Sequence, residues 1–189
     1  AMVTVKGVDD SFADLTHITE ILYGDGRFEL QTANLQFGVP GIRLAQTLGT
    51  GTQWKDYLHV YAPQREGQLD MSNAQDGFVV DSLLSPGVVF SVNQGKYDKD
   101  HILTSLGFAQ NLFGQQGMVS AIEFRLKPNA DLDAVKKQMQ QIGGGKYLVE
   151  DRYEQQHDTF KIMQIEKLMA YIFLTFILIV ACFNIIGSL

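Results

Sequence analysis

The sequence predicts an α+β fold with a mixed sheet, followed by a stalk helix that continues without a break into a membrane-spanning helix. Short segments with strand-like and helix-like apolar spacing alternate through residues 1–152, which predicts a sheet layer with helices packed on it. Apolar residues make up 46% of the chain, a value typical of globular proteins rather than disordered ones. All 15 basic and 21 acidic residues lie at or before Lys167, so residues 168–189 form a separate, uncharged part.

The charge balance and the cysteine content exclude several classes of protein. The net charge of -6, with acids and bases interspersed, argues against a surface for nucleic acid or anionic lipid, because both need an excess of Lys and Arg. The single cysteine, Cys182, lies in the uncharged tail, so no disulfide framework and no thiolate metal site is expected. About 167 residues precede the tail, enough for one domain or for two small lobes that share a core.

In the first half of the chain, strands and helices are predicted from apolar spacing and from their end signals. An apolar residue at every third or fourth position predicts a helix, and Asp10 or Ser11 is expected to cap the first one. Gly49 is expected to end the second helix, because glycine readily adopts the left-handed conformation of a helix C-cap. Short apolar runs between turn residues predict strands. In order, these elements are strand 3–8, helix 11–22, strand 27–37, helix 40–48 and strand 57–62.

The second half of the chain shows the same alternation. Ser85-Pro86-Gly87 is a good turn sequence, which predicts a hairpin between the two strands that flank it. Ile122 and Phe124 alternate with charged residues, so one face of their strand is expected to contact water. In order, these elements are strands 78–84 and 88–92, helix 102–113, strand 118–127, helix 131–142 and strand 147–150.

Residues 168–189 are predicted to cross a membrane. Leu, Ile, Phe and Val occupy 13 of these 22 positions, which favours insertion by about 4–8 kcal/mol as an upper estimate. A helix of this length is about 33 Å long, close to the thickness of about 30 Å of a hydrocarbon core. A buried helix in a protein core is the alternative. Asn184 and Ser188 are the polar positions expected to contact another membrane helix.

The stalk helix, residues 153–167, is expected to run directly into the membrane helix. It contains no Pro or Gly, and its apolar positions keep a helical repeat. Stalk and membrane helix would then act as one rod that transmits a displacement across the bilayer. Neither end of the chain carries a targeting sequence or a positively charged loop, so we expect a piece of a longer protein. For the same reason, charge does not determine the membrane orientation.

The loop of residues 63–77 is a candidate binding surface. It is polar and longer than most connections in a compact domain, and loops of this length are usually either functional or disordered. The alternative is a hairpin tip that is exposed to solvent and binds no partner. The candidate partner-binding residues are Arg65, Glu66, Leu69 and Met71.

No catalytic, cofactor-binding or metal-binding group is predicted. The Gly-Gly-Gly-Lys run at 143–146 lacks the remaining residues of a phosphate-binding loop, so a helix C-cap and turn is preferred. Asp98, Asp100 and His101 lack a second ligand group at a defined spacing, so a solvent-exposed loop is preferred over a cation site. The single Glu-x-x-His pair at 154–157 falls short of the two pairs that a carboxylate di-metal site needs. The chain is therefore not expected to be an enzyme.

Two stretches of the chain resemble known transporter families. The final segment, MQIEKLMAYIFLTFILIVACFNIIGSL, resembles the start of the FtsX-type permease domain of LolC/LolE-like ABC transporters. Glu166-Lys167, Phe183-Asn184-Ile185 and Ser188-Leu189 carry this likeness. The preceding residues resemble a MacB-like periplasmic core domain. The motifs that carry this second likeness are Val5-Lys6-Gly7-Val8-Asp9, Gly41-Ile42-Arg43-Leu44-Ala45, Leu48-Gly49, Val89-Phe90-Ser91-Val92, Tyr97-Asp98 and Ala109-Gln110-Asn111-Leu112-Phe113.

The resemblance implies a domain organisation and a location. Residues 1–152 would form a two-lobed extracytoplasmic core domain, with an inserted lobe at roughly 50–100. Residues 153–167 would form the stalk helix, and residues 168–189 would be the second membrane helix of the permease. The protein would lie in the inner (cytoplasmic) membrane, with residues 1–167 on the extracytoplasmic, periplasmic side.

The resemblance also implies a function and partners. The chain would belong to a non-catalytic permease subunit that couples ATP hydrolysis by a separate cytoplasmic ATPase subunit to substrate movement outside the membrane, in particular lipoprotein release or export. A second permease copy or homologue would be a partner. A periplasmic lipoprotein carrier would dock on loop 63–77, although this loop lacks the prolines typical of the docking hook. An FtsX-like mechanotransmission or sensor subunit and a tail-anchored enzyme are the alternatives.

Overall fold

The computed structural model describes residues 1–64, 77–155 and 157–188. The chain forms two compact units, Ala1–Arg125 and Leu126–Leu189. The elements of the first unit are β1 (Thr4–Val8), α1 (Phe12–Thr16), a 3₁₀ helix (Ile18–Ile21), β2 (Leu22–Tyr23), β3 (Gln31–Thr32), β4 (Leu35–Gln36), β5 (Val39–Pro40), α2 (Ile42–Leu48), β6 (Leu58–Pro63), β7 (Phe78–Leu83), β8 (Val89–Phe90), α3 (Gly95–Asp100), β9 (His101–Ser105) and α4 (Leu106–Leu112). Those of the second unit are α5 (Leu132–Gly143), α6 (Arg152–Gln155) and α7 (His157–Ser188).

The largest sheet of the first unit contains both parallel and antiparallel pairs. β9 lies between β1 and β5, parallel to β1 and antiparallel to β5. Thr4 is opposite His101, and the register continues to Val8 opposite Ser105. The other described strands form two-stranded sheets, in which β2 pairs with β8, β3 with β4 and β6 with β7.

β9 and α4 occupy the segment for which apolar spacing predicts a single helix, residues 102–113. The first part of that prediction is wrong, because His101–Ser105 is a strand. Its side chains from Ile102 onward are all buried, so the strand is enclosed on both faces and buried and exposed positions do not alternate along it. The helix begins only after Ser105. A buried strand and a buried helix share the same short apolar pattern, so periodicity does not distinguish them.

Ser105 caps α4, and losing this cap is expected to destabilise the first unit. Its Oγ accepts a hydrogen bond from the Phe108 N–H at 3.1 Å and donates to Gln36 Oε1 at 2.6 Å. Ser105→Ala should lower the free energy of unfolding by about 0.5–2 kcal/mol, the usual cost of a lost cap. Urea unfolding followed by the fluorescence of Trp54, the single tryptophan, measures this change.

The matched control for this substitution is Ser11→Ala. Ser11 occupies the corresponding position before α1, but its side chain makes no capping hydrogen bond, and the residue is exposed. Its loss should change the free energy of unfolding by less than about 0.5 kcal/mol. Equal losses in the two variants would contradict the role assigned to Ser105.

The hairpin predicted around Ser85-Pro86-Gly87 is wrong, because β7 pairs with β6 and β8 pairs with β2. The turn packs instead against Gly26. The Gly26 N–H donates to the Gly87 carbonyl at 3.1 Å, and a Cβ at position 26 would lie 1.9 Å from the Pro86 carbonyl oxygen. Glycine is therefore required at position 26 by the close approach of two turns.

Three further predicted elements differ from the structure. The helix predicted at 11–22 breaks at His17, whose φ of 53° ends α1 before the 3₁₀ helix begins. The strand predicted at 27–37 is reduced to the short hairpin of β3 and β4. Residues 118–127 and 147–150 form no strand, because a strand needs a hydrogen-bonded neighbour and the described residues provide none. In contrast, α2 ends at Gly49 in the left-handed conformation, as predicted.

The core of the first unit consists of two groups of buried apolar side chains. They come from strands and helices that are distant in sequence, so their burial holds the separate small sheets together. The first group contains Leu44, Val60, Ala62, Leu83, Ile102, Phe108 and Leu112. The second contains Ile18, Val39, Val88, Phe90 and Leu103.

Candidate functional site

The start of α6 is fixed by a capping box. Asp151 Oδ1 accepts hydrogen bonds from the N–H groups of Tyr153 at 2.7 Å and Glu154 at 2.9 Å. In return, Glu154 Oε2 accepts a hydrogen bond from the Asp151 N–H at 3.0 Å. These bonds satisfy backbone donors that have no partner within the first helical turn. The helical part of the chain that follows α5 therefore has a fixed starting point.

Lys136 connects this cap to α5. Its Nζ lies 3.6 Å from Asp151 Oδ2 and forms a closer contact with Glu154 Oε2. The position of Lys136 is in turn set by α5, whose N-cap Asp131 accepts hydrogen bonds from the backbone of the first turn. One ammonium group thus bridges both carboxylates of the capping box, so α5 and the start of α6 are tied together by charge as well as by chain connectivity.

The three charged groups shift one another's pKa values. The hydrogen bond to Glu154 raises the pKa of Lys136. The Glu154 backbone N–H, followed by the Tyr153 N–H and Lys136, lowers the pKa of Asp151. The hydrogen bond from Lys136, followed by the Asp151 N–H, lowers the pKa of Glu154.

These directions determine how the cluster depends on pH. A carboxylate whose pKa is lowered by folding stabilises the fold above its ordinary pKa, and this contribution is lost as the pH falls through the lowered value. A lysine whose pKa is raised contributes below its ordinary pKa and loses its contribution as the pH rises through the raised value. The cluster formed by Lys136, Asp151 and Glu154 is therefore fully charged and intact over the whole neutral range.

Removing the lysine is expected to affect the two carboxyl groups unequally. In Lys136→Met, the pKa of Glu154 should rise more than that of Asp151, because Lys136 is the main cause of the first shift and a minor cause of the second. Carboxyl carbon shifts measured by NMR between about pH 2 and 7 give both values. Lys137→Met, at the neighbouring exposed lysine, should leave both unchanged. Equal movement of the two carboxyl groups would contradict this assignment.

α7 is a helix without interruption from His157 to Ser188. Its described side chains cover residues 165–181 and 183, and the large apolar ones among them are between 44% and 71% exposed. The Thr175 hydroxyl, a polar group within this stretch, donates to the Tyr171 carbonyl of the same helix at 2.8 Å. The described part of α7 therefore presents an apolar surface on all of its faces.

Within the described part of the chain, no helix is both long enough and apolar enough to span a membrane. The membrane prediction for residues 168–189 also covers side chains beyond those described, and it stays a prediction. Asn184 and Ser188, the predicted helix-contact residues, lie within the bounds of α7, but their side chains are outside the described residues.

The β6–β7 hairpin presents an exposed apolar face. Two cross-strand pairs form it, with Tyr61 opposite Val80 and Pro63 opposite Phe78. All four residues are exposed, and Tyr61 reaches 63%. The hairpin leads into the loop predicted to bind a partner. The predicted residues, Arg65, Glu66, Leu69 and Met71, lie outside the described residues.

The acidic cluster around Asp98 is a structural feature and not a solvent-exposed loop. Asp98 is 2% exposed, and its Oδ1 accepts a hydrogen bond from the Val92 N–H at 2.8 Å, while its Oδ2 faces the Ser91 hydroxyl at 3.4 Å. This carboxylate fixes the connection from β8 to α3. Among the described side chains, which cover residues 1–64, 77–155, 165–181 and 183, no group of three or more His, Cys, Asp or Glu is placed to hold a metal ion.

The glycine run at 143–146 ends α5, as predicted. Gly144 is the C-cap with φ 55°, and Gly145 follows with φ 76°. The Lys146 N–H donates to the Gly143 carbonyl at 3.0 Å, which closes the turn. The backbone thus adopts a helix C-cap and turn.

The contact between Lys136 and the capping box is missing from the sequence prediction. The Asp-x-x-Glu spacing of Asp151 and Glu154 is a variant of a known signal for a helix start, so the spacing alone indicates the box. No sequence signal marks Lys136, because its contact with the capping box depends on the path of the chain between α5 and α6.

No protein-family model and no curated protein matches this sequence. The function is therefore inferred from the residues of the chain and from the geometry described above.

Proposed function

We propose that this chain is the extracytoplasmic domain and the following membrane helix of a permease subunit in an ABC transporter. A separate cytoplasmic subunit hydrolyses ATP and moves the membrane helix, and the helix carries this movement to the domain outside the membrane. The substrate class that best fits the proposal is a lipoprotein that is released or exported. In this scheme the chain transmits work and is not itself an enzyme.

The single observation that carries the proposal is the length and surface of α7. Its 32 residues extend about 48 Å, whereas a hydrocarbon core is about 30 Å thick. The described apolar side chains from Ile165 to Phe183 point in all directions around the helix axis. Exposing so much apolar surface to water is unfavourable, while in lipid it is favourable and the helix satisfies its own backbone. This apolar surface, together with the uncharged sequence of residues 168–189, supports a stalk that continues into a membrane segment.

A second feature supports transmission of movement rather than simple anchoring. Only residue 156 lies between the bounds of α6 and α7, and the start of α6 is held by the capping box and by Lys136. A force applied along this helical part would reach α5 through charged contacts as well as through the backbone. An anchor would need no such connection to α5.

The proposal includes partners of defined kinds. A cytoplasmic ATPase subunit supplies the energy, and a second permease copy or a homologue packs against the apolar surface of α7. The exposed hairpin face with Tyr61 and Val80 supports contact with a further protein, such as a periplasmic lipoprotein carrier, next to loop 63–77.

Isolating the full-length protein from its native membranes tests the proposal. It should remain in the membrane pellet after an alkaline wash and co-purify with an ATPase subunit. In proteoliposomes, the complex should release a labelled lipoprotein only when ATP is present, and a complex with an inactive ATPase should release none. Recovery of the protein as a freely soluble monomer would overturn the proposal. Activation of an envelope partner by ATP hydrolysis, without lipoprotein movement, would establish the FtsX-like sensor function instead.

A further inference from the structure

The last residues of the first unit, 118–125, are held in place by side chains rather than by a strand ladder. Among the described residues, no backbone hydrogen bond joins 119–125 to another segment. Gln110 Nε2 donates to the Met118 carbonyl at 2.8 Å, and Lys6 Nζ lies 2.6 Å from Glu123 Oε1. Arg125 makes the contact at the end of the segment. The position of this segment therefore depends on a few side-chain contacts that can be broken one at a time.

Arg125 bonds to the break between α1 and the 3₁₀ helix. Its Nη1 lies 2.8 Å from the Leu15 carbonyl oxygen and 2.7 Å from His17 Nε2. A guanidinium group only donates hydrogen bonds, so Nε2 must be the acceptor. An imidazole accepts only when it is neutral, which places the single ring proton on Nδ1. The contact thus requires uncharged His17.

A proton on His17 removes this contact and adds repulsion. The protonated ring has no lone pair to offer, and its positive charge would lie next to the guanidinium of Arg125. The other charged groups on the surrounding elements are Asp14 on α1, Glu20 on the 3₁₀ helix, Lys6 on β1 and Glu123 on the segment itself. Lys6 and Glu123 are engaged with each other. Within the described residues, no carboxylate forms an ion pair with His17.

We propose that His17 and Arg125 form a pH-sensitive latch, which holds the end of this segment, residues 124–125, against α1 when His17 is neutral and releases that end when His17 is protonated. Residues 118–123 form one wall of an open cleft of about 400 Å³ whose other walls come from β1, α1 and α4. Acidification therefore frees the end of the first unit next to this cleft, while the contacts of Met118 and Glu123 remain. The latch is independent of the proposed transport function, since it involves contacts within the first unit only.

Distance measurements by electron paramagnetic resonance on the full chain test the latch. Spin labels are attached at Phe124→Cys, next to Arg125, and at Gln46→Cys, both exposed positions, after Cys182→Ala removes the native thiol. Histidine gains its proton between about pH 8 and pH 5. We expect one narrow distance distribution at about pH 8, and a broad component that becomes the major one at about pH 5.

Three variants separate the latch from other effects of acid. His17→Gln retains an acceptor oxygen at every pH, so its distribution should stay narrow at both values. Arg125→Gln removes the charged donor, so its distance distribution should be broad at both pH values. His59→Gln is the control, because His59 contacts Ser82 in the hairpin and not the segment, so this variant should respond to pH like the native chain. An unchanged distribution in the native chain, or broadening in His17→Gln at acid pH, would overturn the proposal.

Discussion

Under the proposed transport function, a flexible seven-residue Gly-Ser segment inserted after Phe160 is expected to reduce ATP-driven substrate movement to the level seen without ATP. Hydrolysis itself should continue, because the insertion lies outside the ATPase subunit. The physical reason is that a rod transmits displacement only while it is stiff. A random-coil joint within α7 would absorb a movement of a few ångströms, because such a chain changes its end-to-end distance at little cost in free energy.

The matched control is an insertion of seven helix-forming residues at the same site. Seven residues add about two helical turns, so the control keeps the helix stiff and preserves its rotational phase to within about 20°. Transport and ATPase activity are measured together in proteoliposomes. Full transport with the Gly-Ser insertion would refute the rigid-rod hypothesis. Loss of transport in both variants would show that stalk length matters instead of stiffness, and this result would also contradict the prediction.

Phe108→Ala is expected to cause the largest loss of stability of any single substitution considered for this chain. Phe108 is 2% exposed and packs in the core group that also contains Leu44, Leu83 and Ile102. Removing a buried phenylalanine ring costs about 3–5 kcal/mol, since the contacts are lost and the cavity fills only in part. Total stabilities of about 5–15 kcal/mol leave little margin for such a loss. Urea unfolding of the full chain in detergent, followed by Trp54 fluorescence, measures it.

Phe113→Ala provides the comparison within the same helical segment. Phe113 is the C-cap residue of α4 and is 42% exposed, so its replacement removes much less buried surface. Its effect should be under about 1 kcal/mol. Similar losses for the two substitutions would show that Phe108 does not act through the packing of this core.

Trp54 is a suitable probe for both substitutions. It is partly buried, and its indole N–H points to the Leu83 carbonyl at 3.5 Å. Leu83 belongs to the same core group as Phe108. Loss of this packing therefore changes the environment of the indole directly, and its fluorescence reports on the first unit rather than on α7.

Local signals predict the C-terminal ends of two helices in this protein. Gly49 ends α2 and the glycine run at 143–146 ends α5, because a C-cap involves only backbone groups within one helical turn. The uncharged composition of residues 168–189 is likewise a property of consecutive positions. Such features need no information about the rest of the chain.

Pairing between distant segments is not predicted by the same signals. The Ser85-Pro86-Gly87 sequence suits a hairpin turn, but β7 pairs with β6 and β8 pairs with β2, and both partners are more distant in the sequence. The short apolar pair Ile102-Leu103 is compatible with a helix or a strand, and the choice depends on β1 and β5 on either side. The contacts of Lys136 and Arg125 depend on the path of the chain between elements.

The sequence alone determined where α2 and α5 end, which part of the chain is uncharged and which residue types are available for chemistry. The tertiary structure decided which strands pair, that Asp98 is buried, and which side chains bridge the ends of elements. The physical reason is the range of the interactions. Caps and apolar periodicity act over a few residues, whereas strand ladders, buried polar groups and ion pairs join residues that only the folded chain brings together.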